Sequence, residues 1–319
     1  MFWLFNVSLF LISIGFIFWA GETIVKKLMY FSRLLGAKEF VVAFFVMASA
    51  GALPNLFVGV SSALRGIPEL SFGDIMGNNL IVLTVAVGLT ILFSPKKEIP
   101  TESRTVQSTS IFTIAAAILP IVLIADGVLS RSDALILIAL FISYIFWLFS
   151  KRERFTKIYE EQDVDISDIK FVLRDFFITI FSFFVLIIAA QGVVHSASFF
   201  AEVLNLPIVL VGMLVVSLGG TLPETYFAVS SAIKGENWMT LANFMGAVII
   251  NTTLILAIIA LIHPIQADGL EFSIINRIFL IASAVFFYIF TKTGGRIGKY
   301  EGIFLMSLYV LFLLSIYFI

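Results

Sequence analysis

Cysteine is absent from this chain, and histidine occurs only twice, at His195 and His263. No disulfide can form, and without a His-x-x-x-His spacing a zinc or iron–sulfur centre has no ligand set. Charge is scarce as well. Asp, Glu, Lys and Arg together make up 13% of the residues and sum to a formal charge of −1, which gives nucleic acid no basic surface to bind. The GxGxxG and GxSxG spacings, a phosphate loop and a catalytic triad are all missing, so neither a nucleotide cofactor nor a hydrolase site is expected. The chain reads as a protein with no prosthetic cofactor that is not an enzyme.

What it has in quantity is apolar surface. Of 319 residues 60% are hydrophobic, 35 are Phe, and the mean hydropathy is +1.08. No soluble domain of this length can hide so much, so the solvent is a lipid bilayer and the Phe-rich faces are lipid-facing bulk. Apolar windows of roughly 20 residues, the length of a membrane helix, recur at 3–24, 38–65, 71–94, 108–125, 131–149, 171–194, 206–234, 239–262, 272–290 and 300–319. The fold class expected is therefore all-α, with ten transmembrane helices. The first window lacks a basic leader and is too long for a signal core, so it is expected to remain as a span. His195 and His263 flank loops and read as interfacial. Asn6-Val7-Ser8 and Asn251-Thr252-Thr253 match the glycosylation pattern but fall inside spans, where glycosylation does not reach.

Orientation follows from the cations. With the N-terminus outside, seventeen of the twenty Lys and Arg fall in inner loops and only Arg65, Arg131 and Arg277 fall outside. The positive-inside rule then places both termini outside. The longest polar stretch, 151–170, separates a first half (1–150) from a second (171–319), each with five spans. Its acidic run (Glu160, Glu161, Asp163, Asp165 and Asp168) lacks the glycine and spacing of an EF-hand loop, so it reads as a solvated linker.

The halves are copies. Shifted by 169 residues, GALPNLFVGVSSALRG falls on GTLPETYFAVSSAIKG, and GDIMGNNLIVLTV on ANFMGAVIINTTL. Leu53-Pro54 meets Leu222-Pro223, Gly66 meets Gly235, and Pro95 meets Pro264. The repeat cores span about 38–94 and 206–263. Five spans per half force opposite orientations, which is an inverted repeat with its substrate site expected at the midplane.

The repeated block also predicts the site. Proline at 54 or 223 has no N–H and clashes with the carbonyl four residues back, so Pro54, Pro223 and the neighbouring Gly219 are expected to break their helices. Carbonyls near Ala48, Gly51, Ser217 and Gly220 are then free to meet a hard cation. Asn55 and Glu224 follow their prolines, Thr221 adds a hydroxyl, and Asn78 and Asn251 lie on the next span of each repeat. A carboxylate inside hydrocarbon is costly, so Glu224 reads as functional. The three asparagines have a plainer reading as hydrogen-bond links between helices.

The paired blocks resemble the α-repeats of the cation/calcium exchanger superfamily, the Na⁺/Ca²⁺ and H⁺/Ca²⁺ antiporters. Its repeats read approximately G-T-S-L-P-E, a small-residue helix, then G-N-x-x-G-S-N. The resemblance covers essentially the whole chain. It implies an inverted five-plus-five fold in which cations are held by the two Glu, the neighbouring Thr or Ser, the Ser and Asn or Asp of the second block, and carbonyls at the breaks. Carried over, the Glu pair becomes Asn55 and Glu224, and Thr-Ser becomes Gly51-Ala52 and Gly220-Thr221. The second-block Ser becomes Asn78 and Ala247, and the Asn or Asp four residues later becomes Val82 and Asn251. The metal-binding set implied is Glu224, Asn55, Thr221 and Asn251.

The first repeat has thus lost its carboxylate. Glu224 alone leaves a Ca²⁺ ion half neutralised, whereas a monovalent ion or a proton matches a single carboxylate. Two other acids are candidates to restore the charge: Asp74, which opens the second block, and Glu22, near the inner end of the first span. For both the plainer reading is a helix-end or interfacial carboxylate. Three functions follow: an antiporter exchanging Na⁺ or H⁺ for another cation, Ca²⁺ included; one restricted to monovalent ions and protons; and a non-transporting scaffold or sensor. The lack of cysteine makes the orientation testable. A single Thr156→Cys should react with an impermeant maleimide only after the inner face is opened, and Asp268→Cys should react in intact cells; the reverse pattern would refute the assignment.

Overall fold

A computed structural model describes residues 2–34, 47–102, 104–150, 169–233, 237–266 and 274–317. These residues are almost entirely helical. We number the helical segments α1 (Phe2–Leu34), α2 (Met47–Leu64), α3 (Pro68–Phe93), α4 (Arg104–Leu123), α5 (Arg131–Ser150), α6 (Ile169–Leu204), α7 (208–233), α8 (237–262), α9 (Ile274–Lys292) and α10 (Lys299–Tyr317). Eight of them are long and apolar enough to cross a membrane. Of the other two, α2 is short and α7 is bent. The protein is a multi-pass integral membrane protein.

Exposed side chains on α1, α5 and α6 include Trp3, Phe5, Phe146, Phe177 and Ile188. Such faces are stable only against lipid. By contrast α3 is buried on nearly all sides, from Pro68 to Ile81 with Glu69 excepted, and so forms the centre of the bundle. At 36 residues, α6 is about 54 Å long at 1.5 Å per residue. It extends well past the expected 171–194, and α1 likewise runs past 3–24.

The helix breaks differ from expectation. Pro54 lies inside a continuous α2, so the lost hydrogen bond is absorbed by the helix and does not end it. In α7 the segments Ile208–Leu222 and Glu224–Ile233 meet at 44°, a bend at Pro223 within an unbroken helical run. A proline removes one donor, and a packed bundle can tolerate that as a kink. The irregularities the sequence did not announce are π-helical turns at Val82–Ala86, Gly212–Val216 and Ile250–Ile255. Each widens the helix by a residue and frees backbone carbonyls. Threonines meet that need: Thr84 donates to the Leu80 carbonyl, Thr252 to Val248 and Thr253 to Ile249.

The 169-residue shift carries helix onto helix. Moved by 169, α1 lands on 171–203 against Ile169–Leu204, and Val87–Phe93 lands on Leu256–Ile262. The π turn Val82–Ala86 lands on 251–255, within Ile250–Ile255. Equivalent helices α1 and α6 pack side by side and antiparallel. Trp3 meets Phe199 and Phe200 at one end, Trp19 meets Phe181 further along, and the Lys27 ammonium meets Asp175 at 2.7 Å near the other end. Two short antiparallel pairs tie the halves together. Strand β1 (Glu98–Pro100) pairs with β4 (Arg296–Gly298), and β2 (Val128–Leu129) with β3 (Ile265–Gln266).

Glycine sets the central crossing. Gly66, at φ +73°, closes α2 in the left-handed region and Pro68 starts α3 at its first turn, the usual order of stop and start signals. One face of α3 then lies directly on the backbone of α7. A methyl group on Gly73 would sit 2.0 Å from the Val209 carbonyl oxygen, and one on Gly77 2.3 Å from that of Met213. From the other side, Gly212 leaves no room beside the Leu70 carbonyl. Gly73→Ala should therefore lower the unfolding midpoint in detergent, at a cost of about 1–3 kcal/mol for overpacking. Gly15, which has open space around it, should accept Ala without loss. Equal midpoints for the two variants would refute the backbone contact.

Candidate functional site

The close α3–α7 crossing brings polar residues of both helices to the middle of the bundle. On α7 the Thr221 hydroxyl donates to the Ser217 carbonyl, and the Ser217 hydroxyl donates to the carbonyl of Met213. These bonds run down one face, through and beyond the π turn, and leave Thr221 1% exposed. Past the bend comes Glu224, whose Oε2 is buried and has no hydrogen-bond partner. From α2, the buried Asn55 lies against Gly220, its Oδ1 3.6 Å from where a side chain on that glycine would begin.

Helix α3 supplies Asp74, Asn78 and Asn79, all buried. Asp74 and Asn78 are one turn apart and share a face. Asp74 Oδ1 and both polar side-chain atoms of Asn78 and Asn79 lack partners. Asn251, on the π turn of α8, is fully buried with both side-chain atoms unpartnered, and that turn packs against α2 and α3. Three residues beyond Asp74, Gly77 lies against the Ser217 hydroxyl of α7.

A buried polar group left unpaired costs about 1–3 kcal/mol. Such unpaired groups on α3, α7 and α8, with Asn55 of α2 alongside, mark a candidate site with a purpose other than packing. Its donors are amide, hydroxyl and carboxylate oxygens, which suit hard cations. Among the described residues no group of three or more His, Cys, Asp or Glu exists. The set thus lacks the dense charge of a permanently held metal.

Other expected residues lie elsewhere. Glu22 is exposed on α1 and bound to Lys26 at 2.5 Å, away from the buried cluster. Gly219 packs on Ile14 of α1, and Pro54 lies against Gly21. Ala48 and Gly51 fall in the first turns of α2, and their side chains, like that of Pro223, lie outside the described residues. Asn79 was not anticipated, although it falls on the closing Asn of the motif G-N-x-x-G-S-N.

A family profile described as "Sodium/calcium exchanger protein" matches residues 5–150 and 175–318. The chain belongs to that family. It is a family of transporters and not of enzymes. The chain is 25% identical to the sodium/calcium exchanger MaX1 of Methanosarcina acetivorans, with 98% of this chain and 99% of that protein covered. It is 20% identical to the putative antiporter CaxA of Alkalimonas amylolytica, over 94% and 95% of the two chains. Among solved structures, the sodium-calcium exchanger NCX_Mj shares the fold, with a TM-score of 0.66, 22% identity, and 97% and 98% of the chains covered.

Within this exchanger-family member, Glu22 serves as an internal control. An exposed ion pair contributes about 0–1 kcal/mol and does not reach the buried cluster. Glu22→Gln should leave cation binding, measured by calorimetry on purified protein, within roughly twofold of wild type; a larger change would place Glu22 in the site.

Proposed function

We propose that this chain is a secondary active cation antiporter that alternates access around a midplane site centred on Glu224. The observation that carries the reading is the set of buried, unpartnered oxygens on Glu224, Asn78 and Asn251, drawn from both halves of the chain. A rigid core would satisfy those groups internally. A site that must bind and release its cargo keeps them available. Family membership and the relatives named as exchangers and antiporters support the same reading.

The architecture proposed with it is ten membrane crossings in two inverted repeats, residues 1–150 and 171–319, joined by an inner linker at 151–170. Supporting this are the recurrence of helix boundaries at a 169-residue shift, the antiparallel packing of α1 on α6, and the two strand pairs. The strand pairs fall on opposite sides when both termini are outside. Side chains of Glu224, Asn55, Thr221, Asn251 and Asn78 are proposed to coordinate, with the Ser217 and Gly220 carbonyls beside them. The Ser217 carbonyl accepts the Thr221 hydroxyl. Ala48 and Gly51 are proposed as their counterparts in the first repeat.

A second reading restricts the cargo to monovalent cations and protons. The specific observation in its favour is Asn55, an amide at the position paired with Glu224. Flux into proteoliposomes separates the two. Under a Na⁺ or H⁺ gradient the protein should accumulate a second cation, and Glu224→Gln should reduce the rate by at least roughly tenfold, as loss of a buried charge at an ion site requires. Calcium uptake supports exchange of a divalent ion, and monovalent flux insensitive to calcium supports the second reading. A folded protein with no flux of any cation would refute both.

A further inference from the structure

The two repeats do not differ in how much charge they hold, only in where they hold it. At the position after the proline the residues are Asn55 and Glu224; at the opening of the next block they are Asp74 and Asn243. Each repeat therefore carries one carboxylate and one amide, with the two exchanged. Asp74 is not a helix-end acid. It lies well inside α3 (Pro68–Phe93), is 2% exposed, leaves Oδ1 without a hydrogen-bond partner, and among the described residues forms no ion pair. Its backbone nitrogen lies against Gly212, at the point where α3 crosses α7. Three residues on, Gly77 lies against the Ser217 hydroxyl, on the helix that carries Glu224.

We propose that Asp74 is the second anionic group of the cation site, replacing the carboxylate missing at Asn55, and that the site is built for a divalent, oxygen-seeking cation of the calcium class. The proposal rests on the antiporter reading above and deepens it. Two carboxylates sharing one buried site without a cation would repel, and a monovalent ion there would leave one charge unbalanced. A divalent ion balances both. Asn55 then acts as a neutral oxygen donor, and Asn78, one turn from Asp74, adds an amide from the same face.

The test is calcium binding to purified full-length protein in detergent, measured by calorimetry, alongside flux in proteoliposomes. Asp74→Asn should weaken calcium binding by roughly tenfold or more, since one member of a buried charge set is lost, and should weaken sodium binding less. Asp74→Glu should keep calcium affinity within roughly threefold of wild type, because the charge is retained. Moving the carboxylate back, in Asp74→Asn combined with Asn55→Glu, should restore much of the affinity. Calcium affinity unchanged in Asp74→Asn would overturn the proposal. So would a folded double variant, with a wild-type unfolding midpoint, that fails to recover. Wild-type protein that moves monovalent ions through Glu224 yet binds no calcium overturns the role of Asp74 and leaves the antiporter standing. Calcium binding without Glu224-dependent flux of any cation overturns the antiporter reading instead.

Discussion

Inside a bilayer no water satisfies a polar group, so every buried N–H, carbonyl and side-chain oxygen has to find a partner within the protein. Most of this structure can be understood as obedience to that rule. The backbone is almost wholly helical, the π turns are furnished with threonine hydroxyls, and the ion pair between Lys27 and Asp175 lies where α1 and α6 meet. Against this background the exceptions are informative. Among the described residues Glu224, Asp74, Asn78, Asn79 and Asn251 are among those with buried side-chain atoms that have no hydrogen-bond partner, and these five lie on α3, α7 and α8.

That convergence depends on glycine. Gly73 and Gly77 on α3 and Gly212 on α7 bring two backbones into direct contact, a packing mode favoured in membranes because lipid does nothing to drive larger side chains together. The contact sets the distance between the acid of one helix and the acid of the other. It also positions the π turn of α7 directly above Ser217 and Thr221. Local irregularity and close packing therefore act together: the turn loosens the helix, and the glycines hold it against its neighbour.

The near-symmetry of the two halves makes their differences legible. At a shift of 169 the helices and the π turn Val82–Ala86 fall on helices and on Ile250–Ile255, while residues of the repeated blocks differ. One half presents Asn55 and Asp74, the other Glu224 and Asn243. In the two-copy architecture proposed above, a charge can move from one helix to the next without altering the frame.

The membrane class, the apolar windows and the family were all legible in the chain itself. Each rests on composition or on spacing along one strand of text, and neighbours in sequence stay neighbours in space. What Pro54, Pro223, Asp74 and Glu22 would do was not legible in that way. Pro54 leaves α2 unbroken and Pro223 produces a bend, because surrounding helices decide whether a missing hydrogen bond ends a helix or kinks it. Asp74 and Glu22 look alike as lone acids in apolar runs. Only the packing of α3 on α7 buries the first, and only the outward face of α1 leaves the second to Lys26. Sequence determined which residues are chemically able to hold a cation; tertiary contact decided which of them are dry, unpartnered and close together, since burial and proximity are properties of helices meeting and not of any one helix.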